Sequence, residues 1–170
     1  MSKLIHDAGG LLVPGTHRAR LDEVEAALVT PACGDVELRR AVFAGVSAWI
    51  HHVRALLGPG TAWISGGFVS RSEPDDTALA AFEPHDRALA GRVAATDAAI
   101  DLHSLSDIMY GGPFPGGSLR KRWPVSGLVD AHLVEARTRS AYLRGFAAVM
   151  GPNGMPLQGA TKGFVEVDVR

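Results

Sequence analysis

Apolar residues recur every three or four positions across the middle of the first half of this chain: Leu38, Val42, Val46, Ile50, Val53 and Leu57. That period puts all six on one side of an α-helix, and a side of that kind has to be buried. Asp35 is a good N-cap, because its carboxylate can accept the unpaired N–H groups of a first turn. Gly58-Pro59-Gly60 stops the helix. A helix over 36–57 is therefore predicted, about 33 Å long, and the rest of the chain must supply an apolar layer to cover it.

Strands are the natural supplier. Residues 61–69 read as a strand, as do Leu79 to Phe82, with a polar turn holding Pro74, Asp75 and Asp76 between them. Val125 to Val134 reads as a third strand. Gly163 to Val169 alternates apolar and polar residues and reads as a fourth. Further helices are expected from Thr16 or Arg20 to Val29, from Glu83-Pro84 to Ile100 or Leu102, and from Arg137 to Met150. The order is α-α-β-β-α-β-α-β. It predicts an α+β fold, a mixed sheet with helices packed against it and two helices before the first strand. One domain over 1–170 is expected, with an irregular arm over 1–15 and a long Gly/Pro-rich loop over 103–127.

Composition narrows the functional classes. Hydrophobic residues are 46% and charged residues 21%, which fits a folded protein rather than a disordered one. The formal net charge of −1 gives no overall pull toward nucleic acid or an anionic membrane. A single cysteine, Cys33, leaves no intrachain disulfide and argues against a thiolate metal cluster. The opening MSKLIHDAGGLLVPGTH is broken by Pro14 and Gly15 and does not read as a signal peptide. No apolar run approaches the ~20 residues of a membrane helix.

The chemistry-bearing stretch is Trp63-Ile64-Ser65-Gly66-Gly67-Phe68-Val69-Ser70, followed by Glu73-Pro74-Asp75-Asp76-Thr77-Ala78-Leu79. A strand runs into a Gly-Gly turn, and an acidic turn opens a second strand. Upstream stands Pro14-Gly15-Thr16-His17 before the acidic Leu21-Asp22-Glu23-Val24-Glu25. Downstream stands Lys162-Gly163-Phe164-Val165-Glu166-Val167. In order and spacing these elements resemble the nucleotidyltransferase fold of the DNA-polymerase-β type. More closely, the chain is similar to a small family of uncharacterised nucleotidyltransferase-like proteins of bacteria and their phages. Those chains open with Pro-Gly-x-His, carry Asp-Gly-Ser-Phe-Val-Thr and Pro-x-Asp-Ile-Asp, and close with a Lys-Gly-hydrophobic strand.

The resemblance implies nucleotidyl transfer by two Mg²⁺ ions held on carboxylates, with a Gly-Ser turn at the triphosphate. Carried over position by position, Gly66 is retained, Gly67 replaces the Ser, and Ser65 replaces the Asp before the glycines. Asp76 matches the first carboxylate, Ala78 replaces the second, and Asp130 matches the third. With two carboxylates in place of three, one metal lacks a bridging ligand, and little or no transfer is expected.

The expectation is therefore a non-catalytic structural or assembly subunit on a degenerate nucleotidyltransferase fold, such as a bacteriophage virion component at a head–tail connector. No cofactor or metal is expected on that reading. Its partners would be other protein chains, as a homo-oligomer or in a larger assembly. Neither a membrane nor nucleic acid is expected among them, and the protein would reside in the cytoplasm of the producing cell or in the virion. The alternative is a Mg-dependent nucleotidyltransferase or nucleotide-binding protein, with Asp76 and Asp130 on the metal and Gly66, Gly67 and Ser70 at the nucleotide.

Other polar residues have plainer readings. His51 and His52 point about 100° apart on the helix and read as solvated. His85 with Asp86, and Asp101 with His103, read as surface pairs. Cys33 reads as structural. Arg120, Lys121, Arg122 and Trp123 follow the Gly/Pro-rich loop and read as a partner-binding segment. Trp49, Trp63 and Trp123 read as core or interface anchors.

Overall fold

The computed structural model describes residues 4–71, 77–94, 102–104 and 124–170. It is an α+β protein built on a five-stranded mixed sheet. The strands are β1 (Gly15–Arg18), β2 (Gly60–Ser65), β3 (Ala78–Pro84), β4 (Val129–Leu133) and β7 (Gly163–Val169), in the spatial order β1-β7-β2-β3-β4. β1 runs parallel to β7 and β3 parallel to β4, whereas β2 is antiparallel to both its neighbours. β5 (Ala148–Met150) and β6 (Pro156–Thr161) form a separate two-stranded ribbon.

The helix predicted over 36–57 is present as α2 (Val36–Leu57), and the Asp35 side chain accepts from the N–H groups of Glu37 and Leu38. Val42, Val46, Ile50, Val53 and Leu57 are buried in one cluster with Ala62, Ile64, Ala80, Phe82, Val165 and Val167 from the sheet. Each Val, Ile, Leu or Phe among them contributes about 1.5–3 kcal/mol when fully buried, so this layer dominates the packing. The opposite face of the sheet carries a smaller cluster, Trp63, Ala81, Val134, Phe146 and Phe164, covered by α4 (Arg139–Ala147). Trp49 and Trp63 are both fully buried, as core anchors.

Several expected boundaries move. The chain does not begin with two helices: Gly15–Arg18 is strand β1, bonded to β7, and α1 (Leu21–Leu28) follows it. A four-residue edge strand has too little periodicity to be recognised alone, and its pairing with residues 163–166 is what makes it a strand. Glu83 and Pro84 end β3 instead of opening a helix. α3 (Arg87–Ala94) starts later, with the Leu89 N–H on Asp86. Val125 to Gly127 is a short 3-10 turn ahead of β4, and the helix expected over 137–150 gives way to β5 after Ala147. β6 went unforeseen, since its residues are nearly all exposed and show no alternation.

Candidate functional site

The Gly-Gly turn leaves the end of β2 and passes through a short 3-10 segment, Gly67–Val69. Gly66 has φ 81°, and a Cβ there would stand 3.3 Å from the Leu79 amide nitrogen. Only glycine meets both conditions comfortably. The turn is held from within the protein. The buried Arg39 guanidinium of α2 donates to the carbonyls of Cys33, Phe68 and Ser70, the last two at 2.8 Å. The Ser70 hydroxyl donates to the Gly67 carbonyl at 2.7 Å, and the Lys162 ammonium reaches the Gly66 carbonyl at 3.3 Å. The chain ahead of β1 closes over the same turn. His6 Nε2 meets the Val69 carbonyl at 3.0 Å, and the Arg71 N–H donates to Gly10. Ser70, expected at a nucleotide, thus turns its hydroxyl back onto the turn itself.

Arg39 was missed in the sequence. The signal was there: a charged residue three before Val42 and four before Phe43, hence inside the apolar stripe.

Asp130 is the second residue of β4, in register with Leu79 of β3, which in turn pairs with Ser65 of β2. Ser65, Leu79 and Asp130 thus form a row across three strands, about 10 Å from end to end. Ala78 is not in that row. It pairs with Val129, and both are buried on the α2 face. Neighbouring residues of a strand point to opposite faces. A carboxylate at position 78 would enter the core, on the far side of the sheet from Asp130. The structure therefore does not bring position 78 and Asp130 together. Leu79 is the β3 residue beside Asp130.

α4 covers the β2 and β7 part of the face carrying this row. The Ser65 hydroxyl donates to the Phe146 carbonyl of α4 at 2.9 Å. The Trp63 indole N–H donates to Glu166 at 3.1 Å, and the Arg139 guanidinium lies over its ring at 5.5 Å. Glu166 is also held by Arg18 at 2.9 Å, and Arg139 approaches Glu83 at 3.3 Å. His132, two residues after Asp130, stands 3.4 Å from its carboxylate and packs against the Tyr142 ring with centroids 5.5 Å apart.

The outer edge of β4 is capped by residues 102–104. The Ser104 N–H donates to Ala131, Ala131 returns its N–H to the Ser104 hydroxyl, and Leu133 donates to His103 Nδ1. His103 is therefore not a plain surface residue. Burial holds its pKa below the ordinary value, with the His132 charge acting in the same direction. His51, His52, His85 and Asp86 are exposed, and Cys33 is buried with its thiol toward the Ala27 carbonyl. Asp75, Asp76, Asp101 and the segment Arg120, Lys121, Arg122 and Trp123 lie outside the described residues. Among the described residues, no three His, Cys, Asp or Glu side chains stand close enough to hold a metal, and no helix is long and apolar enough to cross a membrane.

Fold and site together define an α+β protein whose sheet carries α2 on one face and α4 over the β2 and β7 part of the other. The chain belongs to a family of unknown function (DUF6932), matched over residues 4–168. Comparison with curated proteins and with solved structures gives no match.

Proposed function

We propose that this chain is a non-catalytic assembly subunit on a degenerate nucleotidyltransferase-like sheet. The observation that carries the reading is the packing of the Asp130 face. In an enzyme of that type the nucleotide would lie beside the Gly66-Gly67 turn and the third carboxylate, the position that Asp130 matches. Here α4 packs over the β2 and β7 part of the Asp130 face, through the Ser65–Phe146 hydrogen bond and the Trp63–Phe146–Phe164 cluster, and leaves the Asp130 carboxylate partly exposed.

A contact surface is available elsewhere. The β5–β6 ribbon exposes Met150, Met155 and Leu157, at 54%, 63% and 48% of their full area. Residues 145–161 contain no Asp, Glu, Lys or Arg. An exposed, uncharged ribbon with Met and Leu side chains is a common form of protein–protein contact. A virion component such as a head–tail connector is one setting for a subunit of this kind.

Sedimentation or light scattering at rising concentration tests the reading. The wild type is expected to self-associate, and Met150→Ser/Met155→Ser/Leu157→Ser to stay monomeric with an unchanged circular dichroism spectrum. A wild type that stays monomeric at every concentration, with no partner in its native source, would sink it. The catalytic alternative is tested by calorimetry with Mg²⁺ and nucleoside triphosphates. Binding lost in both Asp76→Asn and Asp130→Asn would overturn the non-catalytic reading.

A further inference from the structure

A cavity of about 420 Å³ opens at the carboxyl ends of β3 and β4. These are neighbouring parallel strands, and chains leaving the ends of parallel strands diverge and leave a crevice that ligands commonly use. The volume falls within the range of small-molecule sites, roughly 300–1,000 Å³. It lies at the end of β3 away from the Gly66-Gly67 turn, so it is independent of the assembly reading.

Pro84, Ala90, Leu133 and Val134 supply apolar wall, and the polar part of the lining is Glu83, Arg87, His103, Glu135 and Arg137. Glu135 is paired with Arg137 at 2.6 Å, and Glu83 with Arg139 at 3.3 Å. Both carboxylates in the lining are thus already neutralised. Arg87 has no carboxylate partner among the described residues. The His103 ring accepts the Leu133 N–H at Nδ1, which leaves its proton on Nε2 as a donor. Among the described residues the lining therefore offers an apolar body, one guanidinium without a carboxylate partner and one imidazole N–H. We infer that this cavity binds a small amphipathic monoanion, an apolar group of drug-fragment size carrying one carboxylate, with the carboxylate on Arg87 and the apolar part against Leu133 and Val134.

Backbone amide NMR of the full chain, titrated with 3-phenylpropionate and separately with its neutral amide, tests this. Saturable shifts are expected at Ala90, Gly91, His103, Leu133 and Val134, with the amide binding about tenfold more weakly, the scale of one charge-assisted hydrogen bond. Arg87→Gln should bring the carboxylate down to the affinity of the amide. Gly91→Phe should abolish binding while leaving the fold intact. Gly91 lines the cavity, and a Cβ there meets nothing within 4 Å, so the new side chain fills space without a clash. No saturable shift up to the solubility limit would overturn the proposal. So would shifts centred on the Met150–Leu157 ribbon, or equal affinity for acid and amide.

Discussion

Leu79 and Asp130 stand side by side across the parallel β3–β4 pair, on the face of the sheet opposite Ala78. Ala78 and Leu79 thus respond differently to the same substitution. Ala78→Asp buries an unpaired charge against α2 and is expected to cost about 3–5 kcal/mol, read by urea denaturation. It should bring no metal affinity. Leu79→Asp sets a second carboxylate beside Asp130, where two like charges raise the pKa of one and attract a cation. Mn²⁺ binding, followed by electron paramagnetic resonance, is expected for Leu79→Asp and lost in Leu79→Asp/Asp130→Asn. If Ala78→Asp binds Mn²⁺ instead, the assignment of faces is wrong.

Arg39 ties two stretches of backbone, the turn at Cys33 and the turn at Phe68 and Ser70, to α2. Removing its side chain strands the carbonyls of Cys33, Phe68 and Ser70, which it bonds. Each buried group left unsatisfied costs about 1–3 kcal/mol, so Arg39→Met should destabilise by roughly 3 kcal/mol or more. Arg39→Lys should recover only part of this, because an ammonium lacks the planar fork. Hydrogen exchange should accelerate first at Ser70 and Arg71, whose N–H groups close the turn onto Gly67 and Gly10. Uniform acceleration across the sheet would argue against a local role.

His6 links stability to pH. Burial lowers its pKa from the ordinary 6.5. The Val69 hydrogen bond opposes this, and the charges of Arg71 and Arg39 add to it. Its Nδ1 is buried with no hydrogen-bond partner, so a proton placed there finds no acceptor. The folded pKa lies below the unfolded one, so the unfolded state binds more protons in that window. The contribution is fully present above pH 6.5 and is lost as pH falls toward the folded pKa. His103, lowered mainly by burial, acts in the same direction. Denaturation midpoints measured from neutral to mildly acid pH should fall, less steeply in His6→Gln. An identical slope in that variant would remove His6 from the account.

Gly45 sits inside α2, where alanine would normally add about 1 kcal/mol of helix stability. Here a Cβ would lie 2.7 Å from the Leu128 Cβ, too close for either backbone to ignore. Gly45→Ala is expected to be net destabilising, by about 1–3 kcal/mol of overpacking. A double-mutant cycle with Leu128→Gly should show coupling between the two sites. A stabilised Gly45→Ala would mean that the turn before β4 yields easily.

The clearest elements in the sequence were those with a long period. The α2 stripe and the alternation of Gly163 to Val169 were legible at their observed bounds, because burial on one side repeats every 3.6 or 2 residues whatever the neighbours. The Gly66-Gly67 turn was legible for the same kind of reason, since its backbone geometry demands glycine. β1 and the β5–β6 ribbon were not, because short or exposed strands exist only through their partners' hydrogen bonds.

The sequence by itself determined the apolar stripe of the long helix and where that helix ran, and that a strand entered a glycine turn ahead of a second strand. Only the tertiary structure decided which face each side chain met. Register across β3 and β4 set Asp130 beside Leu79 and not Ala78, and a shift of one residue would reverse that. Tertiary packing also turned Arg39 inward onto the turn and laid α4 over the sheet. These outcomes depend on contacts between segments far apart in the chain, and no local pattern of residue types encodes such pairings.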